Sequence, residues 1–347
     1  MKNKRIYSLD CMRVVAFFCI IIYHFFVHLN INGSYAPRDY YIITGSTNMH
    51  MATMAVGVFF MLSGFGLMLS TKDKFDLKGY YYSRVTKILL PFWITYAYVF
   101  VCRAVACKGW PLGFVSKKTF IFTLFGMDEW ISMLGMPTTT LGIGEWFLGN
   151  LMVLYLIFPL LRCALLKHPK ITCFIAFVVY AGLSVNYYLM YTIEVHMNPI
   201  LKGFEFFLGM CLALTYERIN KKIGYVCLAG IIFCRVSTID IIIPMGFKIT
   251  IVSLMVFLLF LSLSDVFEKH KKVNGVVKFI AGYTYDIYLV HHVIIVMNAD
   301  KYMGIYLETY QVMFIALIDA VEILIAVIAL RLVTKQITGS IEKALAK

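Results

Sequence analysis

RVVAFFCIIIYH, residues 13–24, decides how the rest of the chain is read. Ten uncharged, mostly apolar residues separate an arginine from a histidine, and the apolar run continues to residue 30. A stretch of about 20 such residues is what one helical crossing of a bilayer requires. Eleven steps of 100° bring Arg13 and His24 to within about 20° of one another around the helix, some 16 Å apart along it. An ionisable ring at mid-membrane is costly unless it faces a partner or a polar cavity, so its presence is a functional signal.

The composition agrees. Of 347 residues, 61% are hydrophobic and 15% charged, which fits an integral membrane protein. Ten spans are predicted, at 14–30, 51–70, 88–106, 143–161, 171–190, 200–216, 223–235, 247–264, 279–297 and 311–330; IDIIIP before Pro244 extends the seventh region as a broken or re-entrant element. With the N-terminus inside, the inner loops and ends hold 23 Lys and Arg and the outer loops 7. That asymmetry obeys the positive-inside rule for an even number of helices. The expected fold is an all-α polytopic bundle of about ten transmembrane helices, one domain over residues 1–347, with both termini cytoplasmic. The net charge of +13 then reflects topology and contact with anionic lipid, and no nucleic-acid module is present. Nine cysteines are scattered without a CxxC pair and are expected to be small buried apolar side chains; no metal site is expected. His24 and His28 inside the first run argue for a retained helix rather than a cleaved signal.

Several constellations carry chemistry. Asp10 lies one turn before Arg13 and can pair with it, while His28 lies one turn beyond His24. In GYTYDIYLVHHVII, His291 falls roughly 18 Å in from Lys278, nearly the depth of His24, whereas His292 points about 100° away and is expected to be structural. Tyr285, Asp286 and Tyr288 add polar groups there. Two imidazoles at one level suggest a shared polar cavity in which His24 acts as general base, with Arg13 at the cytoplasmic mouth of the same helix. In VGVFFMLSGFGLML, Ser63 stands among Gly57, Gly64 and Gly66; close helix packing explains the glycines, and Ser63 is kept as a donor contact. Arg84 and Lys87, three apart beside Tyr80 to Tyr82, suit the phosphates and adenine of a nucleotide-like donor, with Tyr82 as the aromatic candidate. Glu145 and Trp146 open the fourth span and, with His291 and Asp10, are the candidates for substrate binding, although a helix-start carboxylate also serves the dipole. Asp319 and Glu322 share one face of the last span and need partners or water. The outer loops carry Tyr35, Asp39, Tyr40, Tyr41, Trp110, Asp128, Glu129, Trp130 and PTTT, residues suited to lining a sugar site or forming an interfacial belt.

SLDCMRVVAFFCIIIYH, GVFFMLSGFGL, SRVTKILLPF, WFLGNLMVLYLIFPLL and YDIYLVHHVII, in that order, resemble the membrane acyltransferase 3 family over nearly the whole chain. The resemblance implies transfer of an acyl group, commonly acetyl, from a cytoplasmic acyl-CoA to a hydroxyl on an extracytoplasmic glycan or related acceptor, in a bacterial cytoplasmic membrane. It implies His24 as the catalytic residue and Arg13 as its companion toward the donor. Arg84 matches the first arginine of the family's RxxR pair; the second is Lys87, which keeps the charge and loses the planar fork. Leu151 stands where many polysaccharide O-acetyltransferases of the family carry glutamate. Direct transfer and an acyl-histidine intermediate both remain open. The alternative class is a proton-coupled transporter that uses His24, His291, Asp319 and Glu322 as a relay, a reading lowered by the lack of paired Gly/Pro interruptions; a scaffold or sensor needs no such buried groups.

Overall fold

In lipid every backbone N–H and C=O must be paired within the span, so apolar runs of this length fold as helices. The computed structural model describes residues 5–35, 45–111, 117–127, 130–131, 135–136, 141–190 and 193–345. The helices that matter here are α1 (Tyr7–Ile31), α2 (Met51–Thr71), α3 (Leu77–Ala106), α4 (Glu145–Lys167), α5 (Pro169–Val185), α6 (Pro199–Thr215), α7 (Lys221–Val236), α8 (Met245–Ser262), α9 (Lys271–Ala281), α10 (Thr284–Asp300) and α11 (Thr309–Leu345). A two-residue antiparallel pair, Gly45–Ser46 with Met49–His50, precedes α2. Leu160, Val105 and Ile325 are 73%, 72% and 62% exposed, an outward apolar surface that only lipid makes favourable.

Each predicted span is met by a helix. Among the described residues seven helices are long and apolar enough to cross a membrane, and α9 with α10 makes an eighth as a broken span bent by 61°. α5 and α7, at 17 and 16 residues, fall outside those seven. The IDIIIP stretch is not helical; Asn48 clamps it, donating to the Ile239 carbonyl at 2.7 Å and accepting from the Ile241 N–H at 2.9 Å. α11 runs for 37 residues, about 55 Å of rise, well past the hydrocarbon thickness and past the predicted end at residue 330.

α3 contains a π-helical turn over Val85–Leu89. Pro91 has no N–H for the Lys87 carbonyl and its ring crowds that oxygen, so the ladder widens one turn earlier, with Leu90 N–H reaching back to the Val85 carbonyl. Tyr285 completes the repair by donating its hydroxyl to the Ile88 carbonyl at 2.8 Å.

The chain divides into two compact units. The first comprises Met1–Tyr23, Arg38–Phe75 and Val153–Gly282; the second comprises His24–Pro37, Asp76–Met152 and Tyr283–Lys347. Within the first, α2 packs along α6 and α8. A methyl group at Gly64 would strike the carbonyl oxygen of Phe206, and one at Gly209 that of Met61, so the α2–α6 contact is backbone to backbone. Lys202 and Glu205, each 1% exposed, pair at 2.9 Å there, and Thr250 donates to the same carboxylate at 3.1 Å. Two buried charges are tolerated because each is paired and hydrogen-bonded. Within the second unit α3, α10 and α11 enclose Phe92, Tyr96, Leu289, Val293, Ile323 and Val327. Arg331 pairs with Asp286 at 2.6 Å and stacks 3.5 Å above the ring of Tyr283. Cys102 and Cys173 are exposed rather than buried, because a helix in lipid can turn small apolar side chains outward.

Candidate functional site

Four imidazoles gather in the second unit. The ring of His24 lies 4.7 Å from that of His292, 5.5 Å from His291 and 6.1 Å from His28, and His28 lies 4.9 Å from His292. His24 and His28 come from one face of α1, and His291 and His292 from α10. The prediction for His291 holds in kind, since its ring stands beside that of His24. The depth argument behind it does not, because the chain bends by 61° between Ala281 and Thr284 and a straight rise from Lys278 does not exist. His292, expected to point away, has its ring nearest to that of His24, and it also bonds a backbone carbonyl, as a structural histidine would.

Hydrogen bonds set the tautomers. His292 Nδ1 is 2.7 Å from the Gly142 carbonyl, which can only accept, so this nitrogen carries the hydrogen and Nε2 carries the lone pair. His28 Nε2 faces that lone pair at 3.1 Å and donates to it. His291 Nδ1 donates to carbonyls of its own helix, Tyr288 at 2.8 Å and Ile287 at 3.1 Å, leaving Nε2 as the acceptor.

The loop that holds His292 is organised by Glu145. Its carboxylate is buried and accepts from the backbone N–H of Leu141 at 2.7 Å, of Ile143 at 3.1 Å and of Gly144 at 3.0 Å. Gly142 and Gly144 have φ of 79° and 93°, a region that costs other residues. A side chain at Gly144 would also overlap the hydroxyl of Tyr288, which donates to the Gly144 carbonyl. Glu145, expected to contact an acceptor, thus accepts three N–H bonds from the loop whose Gly142 carbonyl meets His292. Trp146 is half-buried, edge-on to Phe147 at 6.0 Å.

The donor candidates fall into two sets. In the first unit Asp10 is gripped by Arg5 at 2.6 and 3.1 Å and lies 3.8 Å from Arg13, so Arg5, which the sequence reading passed over, is its main partner. Ser63 accepts from Tyr155 at 3.4 Å, and Tyr155 lies within electrostatic reach of Arg13. A cavity of about 780 Å³ in this unit is lined by Arg5, Lys221 and Lys222 against Glu217, Asp265 and Glu268, a charge balance that does not select a polyanion. In the second unit Arg84 stacks on Tyr80 at 5.5 Å, not on Tyr82, which is exposed. The π turn begins directly after Arg84, so the one-face relation of Arg84 to an exposed Lys87 that regular helix spacing predicts is altered.

Asp319 and Glu322 are held by Asn298, whose amide donates to them at 2.6 and 2.7 Å while Lys301 donates to its carbonyl at 2.6 Å. That network gives both carboxylates a structural partner and leaves Asp319 Oδ2 buried without a hydrogen bond. Trp110 packs on Phe100 and Phe120 at 5.2 and 5.6 Å and stays exposed, with Lys117 5.6 Å above its ring. Asp39, Tyr40, Tyr41, Asp128, Glu129 and residues 137–140 lie outside the described residues. Away from the spans, burial holds His196 down at about 4, with the charge of Lys202 and the neighbouring His50 adding to it.

None of the curated proteins and none of the solved structures compared with the chain matched it. A family profile described as an acyltransferase domain, that of the acyltransferase 3 family, matches residues 6–331. With nearly the whole chain covered, the transporter reading is set aside: the chain belongs to the acyltransferase 3 family and is a multi-pass, membrane-bound acyltransferase.

Proposed function

We propose that the protein transfers an acyl group, acetyl in the first instance, from a cytoplasmic acyl-CoA to a hydroxyl of an extracytoplasmic glycan or related acceptor, in a bacterial cytoplasmic membrane. The observation that carries this is the setting of His24 among three other imidazoles, on the same uninterrupted helix as Arg13. Eleven residues of that helix span about 16 Å, of the same order as a pantetheine arm, so a cation at the inner end and a base further along α1 suit the two ends of a CoA thioester.

In this reading His24 takes the acceptor hydroxyl proton as the oxygen attacks the thioester carbonyl; the carbon–oxygen bond forms, the carbon–sulfur bond breaks, and CoA leaves as the thiolate. Taking the proton makes His24 cationic, and passing it on to the departing CoA thiolate restores the neutral ring. Arg13 acts on the donor phosphates. The glycan class of the acceptor rests on the family resemblance.

The test is purified protein with labelled acetyl-CoA and an envelope glycan extract. His24→Ala should abolish label transfer with an unchanged size-exclusion profile. Undiminished transfer by that variant would remove His24 from the mechanism.

A further inference from the structure

His24 and His28 stand four residues apart on one face of α1, the spacing by which a helical histidine pair chelates one ion. His292 brings a third ring from α10, and one nitrogen from each of the three lies within 4.8 Å of the other two. Three nitrogens bound to a tetrahedral ion at about 2.0–2.1 Å sit roughly 3.3 Å from each other. The Nε2 atoms of His28 and His292 are already 3.1 Å apart, so a small turn of the side chains completes the set. All three residues are half-buried.

The surroundings match what a metal ligand needs. A ligating imidazole usually gives its other N–H to a carbonyl or carboxylate, which fixes the ring and directs the free lone pair at the ion. His292 does this with Gly142 at 2.7 Å, and Glu145 in turn fixes that loop. Without an ion, the hydrogen on His28 Nε2 lies between the two facing nitrogens. An ion replaces it there, and the hydrogen moves from Nε2 to Nδ1 of His28, so the ring stays neutral and no proton is lost. A donor set of neutral imidazoles favours zinc, cobalt, nickel or copper ions over magnesium or calcium.

We propose that His24, His28 and His292 form a site for one divalent transition-metal ion of the zinc class, with a fourth position open. The proposal goes beyond acyl transfer and stands without it. Where both hold, the ion and the acceptor proton compete for the lone pair of His24, so the metal-loaded protein is the inhibited form.

The experiment uses the full chain, purified in detergent through a tag without histidine, stripped with chelator and titrated with Co²⁺ and Zn²⁺. The expected result is one Zn²⁺ per chain by elemental analysis and the visible absorption of four-coordinate Co²⁺. His28→Gln and His292→Gln should each weaken binding by about 10-fold or more, while His270→Gln, an exposed histidine outside the cluster, changes nothing. His28→Cys keeps a zinc-class ligand and should restore binding with a new thiolate charge-transfer band, which guards against loss of fold as the explanation. A wild type that binds no more metal than the His24→Gln, His28→Gln, His292→Gln triple variant overturns the proposal, as does equal loss in His270→Gln. Acyl transfer measured on the same samples separates the two ideas. Transfer by stripped protein that zinc suppresses supports both; an intact cobalt spectrum with no transfer in either state sinks only the catalytic reading, and transfer unaffected by bound zinc sinks the competition at His24.

Discussion

Glu145→Gln separates a carboxylate that binds substrate from one that builds a loop. The native side chain accepts three backbone N–H bonds, one on Oε1 and two on Oε2. An amide has a single oxygen. Turned toward Ile143 and Gly144, it faces its NH₂ at the Leu141 N–H; turned the other way, it abandons two bonds instead of one. The better orientation leaves one buried donor unsatisfied, at a cost of about 1–3 kcal/mol. The two surviving bonds also pass from charge-assisted, about 1.5–3 kcal/mol each, to neutral, losing roughly half their strength, so the sum is about 2.5–6 kcal/mol. With the loop loosened, the Gly142 carbonyl no longer fixes His292, and a misplacement near 1 Å at a reacting centre costs up to about 100-fold. Denaturation in detergent, followed by steady-state kinetics with varied acceptor, should therefore show lower stability and a kcat reduced about 10- to 100-fold, with the acceptor KM nearly unchanged. Unaltered stability together with a steep rise in acceptor KM would refute this reasoning and return Glu145 to the acceptor.

Two further predictions address the fold. Gly64→Ala should destabilise the protein by about 1–3 kcal/mol, because its methyl group meets backbone and not a movable side chain; Gly66→Ala, with nothing within 4 Å, is the matched control and should be neutral or better. Equal effects in thermal denaturation would show that α2 and α6 do not touch as described. His196 is held at about 4 against 6.5 for a free imidazole, mainly by burial. The unfolded chain then takes up this proton first, so the contribution to stability is whole above about pH 6.5 and is lost as pH falls toward 4. His196→Gln should flatten the stability profile in that window, and a profile that the substitution leaves unaltered would discount the histidine.

Much of the fold was legible because the physics of a span is local. About 20 apolar residues, basic loops on one side and a proline or glycine at a break identify a membrane helix without knowledge of its neighbours. What escaped were features set by partners. Nothing in the spacing of Arg84 and Lys87 announces a π turn, although Pro91 four residues beyond Lys87 was the available signal. The 61° break between α9 and α10 likewise falls at a lone glycine, Gly282, inside a pattern that otherwise reads as one span. The 37-residue reach of α11 is hidden because its polar end satisfies helix propensity without apolar periodicity.

The histidine cluster shows why angles alone mislead. Consecutive residues on a helix point about 100° apart, and that argument assigns His291 to the site and His292 away from it. A third ring placed between the two directions touches both, and His24 does so, with His292 the nearer. What selects His292 is not α10 at all but the loop LGIGE, whose two positive-φ glycines turn a carbonyl toward its Nδ1 and whose glutamate holds the turn closed. Residues 141–145 therefore fix the ring of His292 and form part of the proposed site. A chain that kept all four histidines but lost Gly142 or Glu145 would keep the rings and lose the tautomer, and with it the lone pair that faces both His28 and a metal ion.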